Sequence, residues 1–198
     1  MSEMLPAMCA GLFLGAGIYA VIHIRTASVG GQIFWQVAFL SFAVAGLGAV
    51  LRLFFAGIAP IYITVMAFAL SVGLVAALVG VVSHLVRPLP ERWTTVVLAV
   101  PVVVYIVAVL TDQLHFTALV QIVTLIGLTG VAAWKFETSP RVCIWVIGAA
   151  LSFAILPALL MRIAPGLGLA PQDAGHFAAA LGVLALSQAS QAPRGQGA

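Results

Sequence analysis

Residues 61–86 read IYITVMAFALSVGLVAALVGVVSHLV, 26 positions without one Asp, Glu, Lys or Arg. A helix needs only about 20 apolar residues to cross the hydrocarbon of a bilayer. The rest of the chain has the same character. Of its 198 residues 64% are apolar and 7% charged, with 8 Lys and Arg, 5 Asp and Glu and a formal net charge of +3. Soluble domains carry about 25% charged residues. The polar coat of a water-soluble fold is missing, and so is the charge that disorder or nucleic-acid binding requires. No polar segment is long enough for a second, soluble domain. The composition predicts a single all-α, multi-pass membrane domain over 1–198.

Working outward from 61–86, the apolar runs predict seven transmembrane helices, at 5–24, 33–55, 61–86, 94–110, 117–134, 142–161 and 176–191. Turn chemistry separates them: Gly30-Gly31, Gly57 with Pro60, RPLPERW at 87–93, TDQLH at 111–115, KFETSP at 135–140 and PGLGLAPQDAG at 165–175. A membrane β-barrel would show alternating segments of about 10 residues. These runs are twice that and apolar throughout, so helices are expected.

With seven spans, loops one, three and five share a side with the C-terminus. That side carries Arg25, Arg87, Arg92, Lys135, Arg141 and Arg194, against Arg52 and Arg162 on the other. The positive-inside rule then puts the N-terminus outside and the C-terminus inside. The opening MSEMLPAM has no basic residue, which suits a translocated N-terminus and not a cleaved signal peptide. The same topology brings Trp35, Trp93, Trp134 and Trp145 to or near the inner ends, the interface that Trp prefers. Arg outnumbers Lys seven to one, and Ala, Val, Leu and Gly dominate. That bias points to a GC-rich bacterial genome and hence the cell inner membrane.

Pro101 and Pro157 fall inside spans, and each removes a backbone hydrogen bond, so both helices should bend. Gly11 and Gly15 form a GxxxG step in the first helix; Gly73, Ala76, Ala77 and Gly80 form overlapping small-residue steps in the third. Such steps let helix backbones approach closely, within the bundle or in a homodimer. Cys9 and Cys143 belong near opposite membrane faces, too far apart for a disulfide.

Ionisable groups are costly in lipid, so each is a functional candidate. One pattern occurs twice: Asp112 with His115 before the fifth helix, and Asp173 with His176 before the seventh. A spacing of three puts Asp and His on one helical face, and both pairs fall at the outer side. Together they supply four N and O ligands, a set that suits Zn²⁺ or another divalent metal. A metal with an open position would acidify a bound water for attack on a carbonyl. The same residues suit plain capping, because Asp is among the best N-cap residues. His23 and His84, near the inner ends of the first and third helices, make a second pair of the kind a di-haem cytochrome uses; interfacial His beside Arg25 and Arg87 is the simpler reading. Arg52 and Arg162 snorkel to outer headgroups or pair with Asp112, Asp173 or Glu3. The only Lys, Lys135, lies at a loop edge, which excludes a retinal-type Schiff base in the last helix. No phosphate loop, HExxH or GxSxG is present.

Seven helices, an outside N-terminus and an acid-plus-His start to the last helix (Asp173, His176) make the chain resemble the ceramidase-like (CREST) superfamily of membrane hydrolases. That resemblance implies a metal held by His and Asp for lipid amide hydrolysis, or a receptor role. Of the family's ligands it carries over only His176, while Asp112 resembles its Asp in type. Where the family's second helix ends in Ser and His, residues 48–55 read GAVLRLFF, and Ala180 stands where a second His is usual.

Three functions follow as expectations. The first is a non-catalytic subunit or assembly partner of a membrane complex. The second is a metal-dependent hydrolase of membrane lipids at the outer face. The third is a small-molecule or electron carrier, di-haem included. The partners expected are the bilayer and other membrane subunits or a second copy, with no nucleic acid.

Overall fold

Several apolar runs are rich in Val, Ile and Gly, which are not strong helix formers, but in lipid a chain has no other donor or acceptor for its backbone, so helices form wherever the runs do. The computed structural model describes residues 4–24, 29–163, 166 and 170–192. Among them the elements are α1 (Met4–Ile22), α2 (Val29–Phe54), α3 (Ala59–Leu85), α4 (Glu91–Leu110), α5 (His115–Trp134), α6 (Pro140–Ala154), α7 (Leu156–Ile163) and α8 (Pro171–Gln191). Within α3 the residues Ala69–Gly73 form a π-helical turn.

Five helices are long and apolar enough to cross a membrane, and a sixth span arises if α6 and α7 count as one. This is the build of a multi-pass membrane protein. The run at 142–161 is therefore two helices, bent by 47° at Ile155. Pro157 is the cause: it has no N–H to give and it crowds the residues before it. Pro101, by contrast, lies within an unbroken α4. The run at 176–191 also differs from expectation. Its helix starts five residues earlier, at Pro171, where a missing N–H costs nothing. It is not among the helices apolar enough to span, because Gln172, Asp173, His176, Ser187, Gln188 and Ser190 dilute it. Gly30 and Gly31 lie in the first turns of α2 and not in a break. There a glycine costs about 1 kcal/mol against Ala, too little to stop a helix.

The helices close into a ring. α1 packs on α2, α2 on α3, α3 on α5, α5 on α6, and α8 joins α6 and α7 back to α1. α4 leans on the outside of α2 and α3, and only 11% of its span is buried. α8 is the opposite: it holds a long row of buried residues from Asp173 to Ser190. Its polar groups are tolerable because its neighbours hide them from lipid.

An aromatic column runs through the core. The Phe153 ring stacks on Phe42 at 5.4 Å, Phe42 meets Phe13 edge-on at 6.4 Å, and Phe13 stacks on His176 at 6.1 Å. Trp35 is only 1% exposed and stacks on Phe39, so it is a core residue and not an interfacial anchor. Trp93, Trp134 and Trp145 are exposed.

Small residues permit the α1–α2 crossing, but not the expected pair. A Cβ on Gly11 or Gly15 would meet nothing within 4 Å; both glycines face outward. The close contacts belong to Gly17, whose Cβ would come within 2.6 Å of Ala43 Cα, and Gly46, within 2.6 Å of Leu14 Cα. In α3 the expected small-residue seam does pack on α2. Gly73 abuts Ser41 and Gly80 lies under the Trp35 indole.

Gly46→Ala should therefore destabilise the bundle by about 1–3 kcal/mol through overpacking against backbone. Gly11→Ala should leave stability unchanged or raise it, since Ala is the better helix former. Thermal unfolding of both variants in the same detergent checks the contrast.

Candidate functional site

Two buried ionisable groups, Asp173 and His176, lie together at the end of the bundle where α1, α2, α3 and α8 meet. α8 positions two of them. Asp173 occupies its first turn, only 3% exposed, and one carboxylate oxygen accepts the Ala170 N–H at 3.2 Å. It thus caps the helix that carries it. A carboxylate there also meets the positive end of the helix dipole. One turn on, His176 is 1% exposed. Its Nε2 shares a hydrogen bond with the Tyr62 hydroxyl at 2.5 Å, and the two rings meet edge-on at 5.7 Å.

Whichever partner donates, one ring nitrogen stays unused. If Tyr62 donates, neutral His176 carries its proton on Nδ1; if Nε2 donates, Nδ1 is a bare acceptor. Among the described residues Nδ1 has no hydrogen-bond partner.

Arg52, in the last turn of α2, closes the cluster from the headgroup side. Its guanidinium carbon lies 4.8 Å from the Tyr62 ring centroid, a cation–π distance. Its Nη1 donates to Gln172 Oε1 at 2.7 Å. Arg52 was expected to snorkel to headgroups or to pair with an acid; the structure gives it an amide and an aromatic face. Arg162 is exposed at the end of α7. Glu3, Arg25 and Arg194 lie outside the described residues.

Asp112 and His115 stand elsewhere. Both are exposed. Asp112 does not start α5: it is the left-handed residue, φ 54°, that ends α4. The Gln113 N–H bonds to Ala108 O at 2.8 Å and the Asp112 N–H to Val109 O at 3.3 Å, the paired bonds of a Schellman ending. His115 opens α5 with its ring tilted against Phe116. Among the described residues no group of three or more His, Cys, Asp and Glu comes together that could hold a metal ion. The four expected ligands Asp112, His115, Asp173 and His176 are not assembled, because α5 and α8 both pack on α6 but not on each other. At the other end His23 bonds to Tyr19 O and stacks on the Tyr19 ring, and His84 is buried at the end of α3.

Sequence reasoning missed Tyr62 and Gln172. A signal was present. Tyr62 is a polar-tipped side chain in the first turn of the third span, the level at which the first turn of the last span places His176. A buried imidazole needs such a donor.

No family model, curated protein or solved structure matches the chain. Its chemistry therefore rests on this geometry.

Tyr62→Phe strips His176 of its hydrogen bond and should cost about 1 kcal/mol, seen as a fall of about 2–4 °C in Tm. Asp112→Gly should act in the opposite sense. It relieves a left-handed non-glycine residue and should stabilise by about 0.5–1 kcal/mol, read as a rise in Tm.

Proposed function

We propose that the protein is a seven-span membrane protein of a cell inner membrane, N-terminus out and C-terminus in, that acts as a non-catalytic assembly partner for another membrane chain or a second copy. The observation that carries this reading is how the buried polar cluster is used. Asp173 caps its own helix, Arg52 is bonded to Gln172, and His176 is bonded to Tyr62. The first orders the start of α8 and the other two fasten it to α2 and α3, which is structural work. The bundle meanwhile turns Gly11 and Gly15 outward on α1. A GxxxG step on a lipid-facing surface favours close approach by a helix from outside.

The seventh span in this reading is α8. Its 21 residues cover about 31 Å, the thickness of the hydrocarbon, and its polar groups are enclosed by the other helices. The basic loops support the orientation.

A lipid hydrolase of the ceramidase-like kind would need further ligands beside Asp173 and His176. Elemental analysis therefore separates the two readings. The partner reading expects no stoichiometric metal in protein purified without chelator; one equivalent of zinc, with hydrolysis of a lipid amide lost in His176→Ala, would replace it by the hydrolase.

The partner reading has its own test. In native membranes, Gly15→Cys should give a disulfide-linked species on oxidation. Gly11→Leu with Gly15→Leu should abolish the assembly seen by native mass spectrometry while leaving Tm within about 2 °C, since neither site packs inside the bundle. A wild-type chain that is monomeric in native membranes and forms no such adduct would sink it.

A further inference from the structure

Many hydroxyls inside this bundle follow one rule. Those of Ser41, Ser71, Thr124, Thr129 and Ser152 each donate back to a carbonyl three or four residues earlier, at 2.7–2.9 Å. This is how a hydroxyl is satisfied in lipid without a partner helix. Thr94 breaks the rule. It is 3% exposed, yet among the described residues its Oγ1 has no hydrogen-bond partner. It lies in the first turn of α4, where the residue four back is the N-cap Pro90.

Thr94 also lines a cavity. Between α2 and α4 a groove of about 440 Å³ is walled by Ile33, Thr94, Thr95, Leu98, Ala99 and Val102. The two hydroxyl residues stand at one end and apolar side chains fill the rest. From Thr94 to Val102 the groove runs about 12 Å along the helix. Its polar end coincides with the N-terminus of a 20-residue helix, where first-turn N–H groups have no intrahelical acceptor and the dipole favours an anion. Arg92 in that turn and Arg87 just before it are both exposed. With Glu91 as the one acid, the segment 87–93 stays net positive. Trp93, half exposed, marks this level as the interface.

We propose that this groove binds one phospholipid of the leaflet that faces the 87–93 loop. Its phosphate is held at the start of α4 by the Thr94 hydroxyl and Arg92, and one acyl chain lies between α2 and α4. Positive charge and an unmet hydroxyl at one end, with an apolar trough leading away from them, match a headgroup joined to a hydrocarbon tail. Neither a soluble anion nor a bare hydrocarbon satisfies both ends.

Native mass spectrometry of the full chain in a neutral detergent tests this. Phosphatidylglycerol should bind one per chain, and diacylglycerol of the same chains, lacking the phosphate, about tenfold more weakly or not at all. Thr94→Val should weaken phosphatidylglycerol about tenfold, Thr94→Ser should bind as the wild type does, and Ala99→Trp should block the trough. Thr129→Val, whose hydroxyl is already bonded to Leu125 O, serves as the control and should bind normally. Thr94→Ser also guards against misfolding, since it keeps only the hydroxyl. Equal binding of diacylglycerol, undiminished binding by Thr94→Val, no retained lipid, or displacement by excess inorganic phosphate would each overturn the proposal.

Discussion

Lipid hydrocarbon cannot form hydrogen bonds, and most of this structure follows from that. A polar group left bare in it costs several kcal/mol. The backbone has therefore folded into helices through most of the described residues, and many interior hydroxyls turn back onto their own helix. The least apolar helix, α8, has been drawn into the company of α1, α6 and α7 while the most apolar faces look outward. The ring thus keeps its few buried polar groups inside, within a core that is otherwise apolar.

The same constraint gives the Tyr62–His176 bond its weight. It joins residues 114 apart in sequence, and the aromatic column continues it through Phe13 and Phe42 to Phe153. Five helices meet along that line. α8 supplies the piece that closes the ring, so ring closure depends on contacts between segments far apart in sequence. Such contacts form slowly because a long loop must close before they give any return.

Helix class and rough span positions were legible in the sequence because apolar length alone determines them. The bend at Pro157 and the α3 seam of Gly73 and Gly80 were legible too, since each depends on one residue's geometry. What was not legible depended on which helices are neighbours. The two Asp-x-x-His steps look alike in sequence, yet Asp112 ends one helix while Asp173 begins another. Only the ring order shows that α5 stands away from α8. Gly11 and Gly15 failed as a seam for a related reason: a GxxxG step says that close approach is possible on that face, not that the chain itself supplies the neighbour. Half of the Tyr62–Arg52–Gln172–His176 cluster was visible as charged residues. The other half was hidden because neither Tyr62 nor Gln172 carries charge.

The π-helical turn at Ala69–Gly73 has a bearing on how this chain can change. Such a turn is geometrically one residue too many, and a residue is worth about 100° of rotation around a helix axis. Tyr62 lies before the turn and Gly80 after it, and both are aimed at neighbours that cannot move. Deleting a single position there would make α3 more regular. It would also swing one half of the helix away, so that the phenol and the indole seat could no longer face inward together. For this span, insertions and deletions are phase errors, and the irregular turn is what keeps its two ends in step.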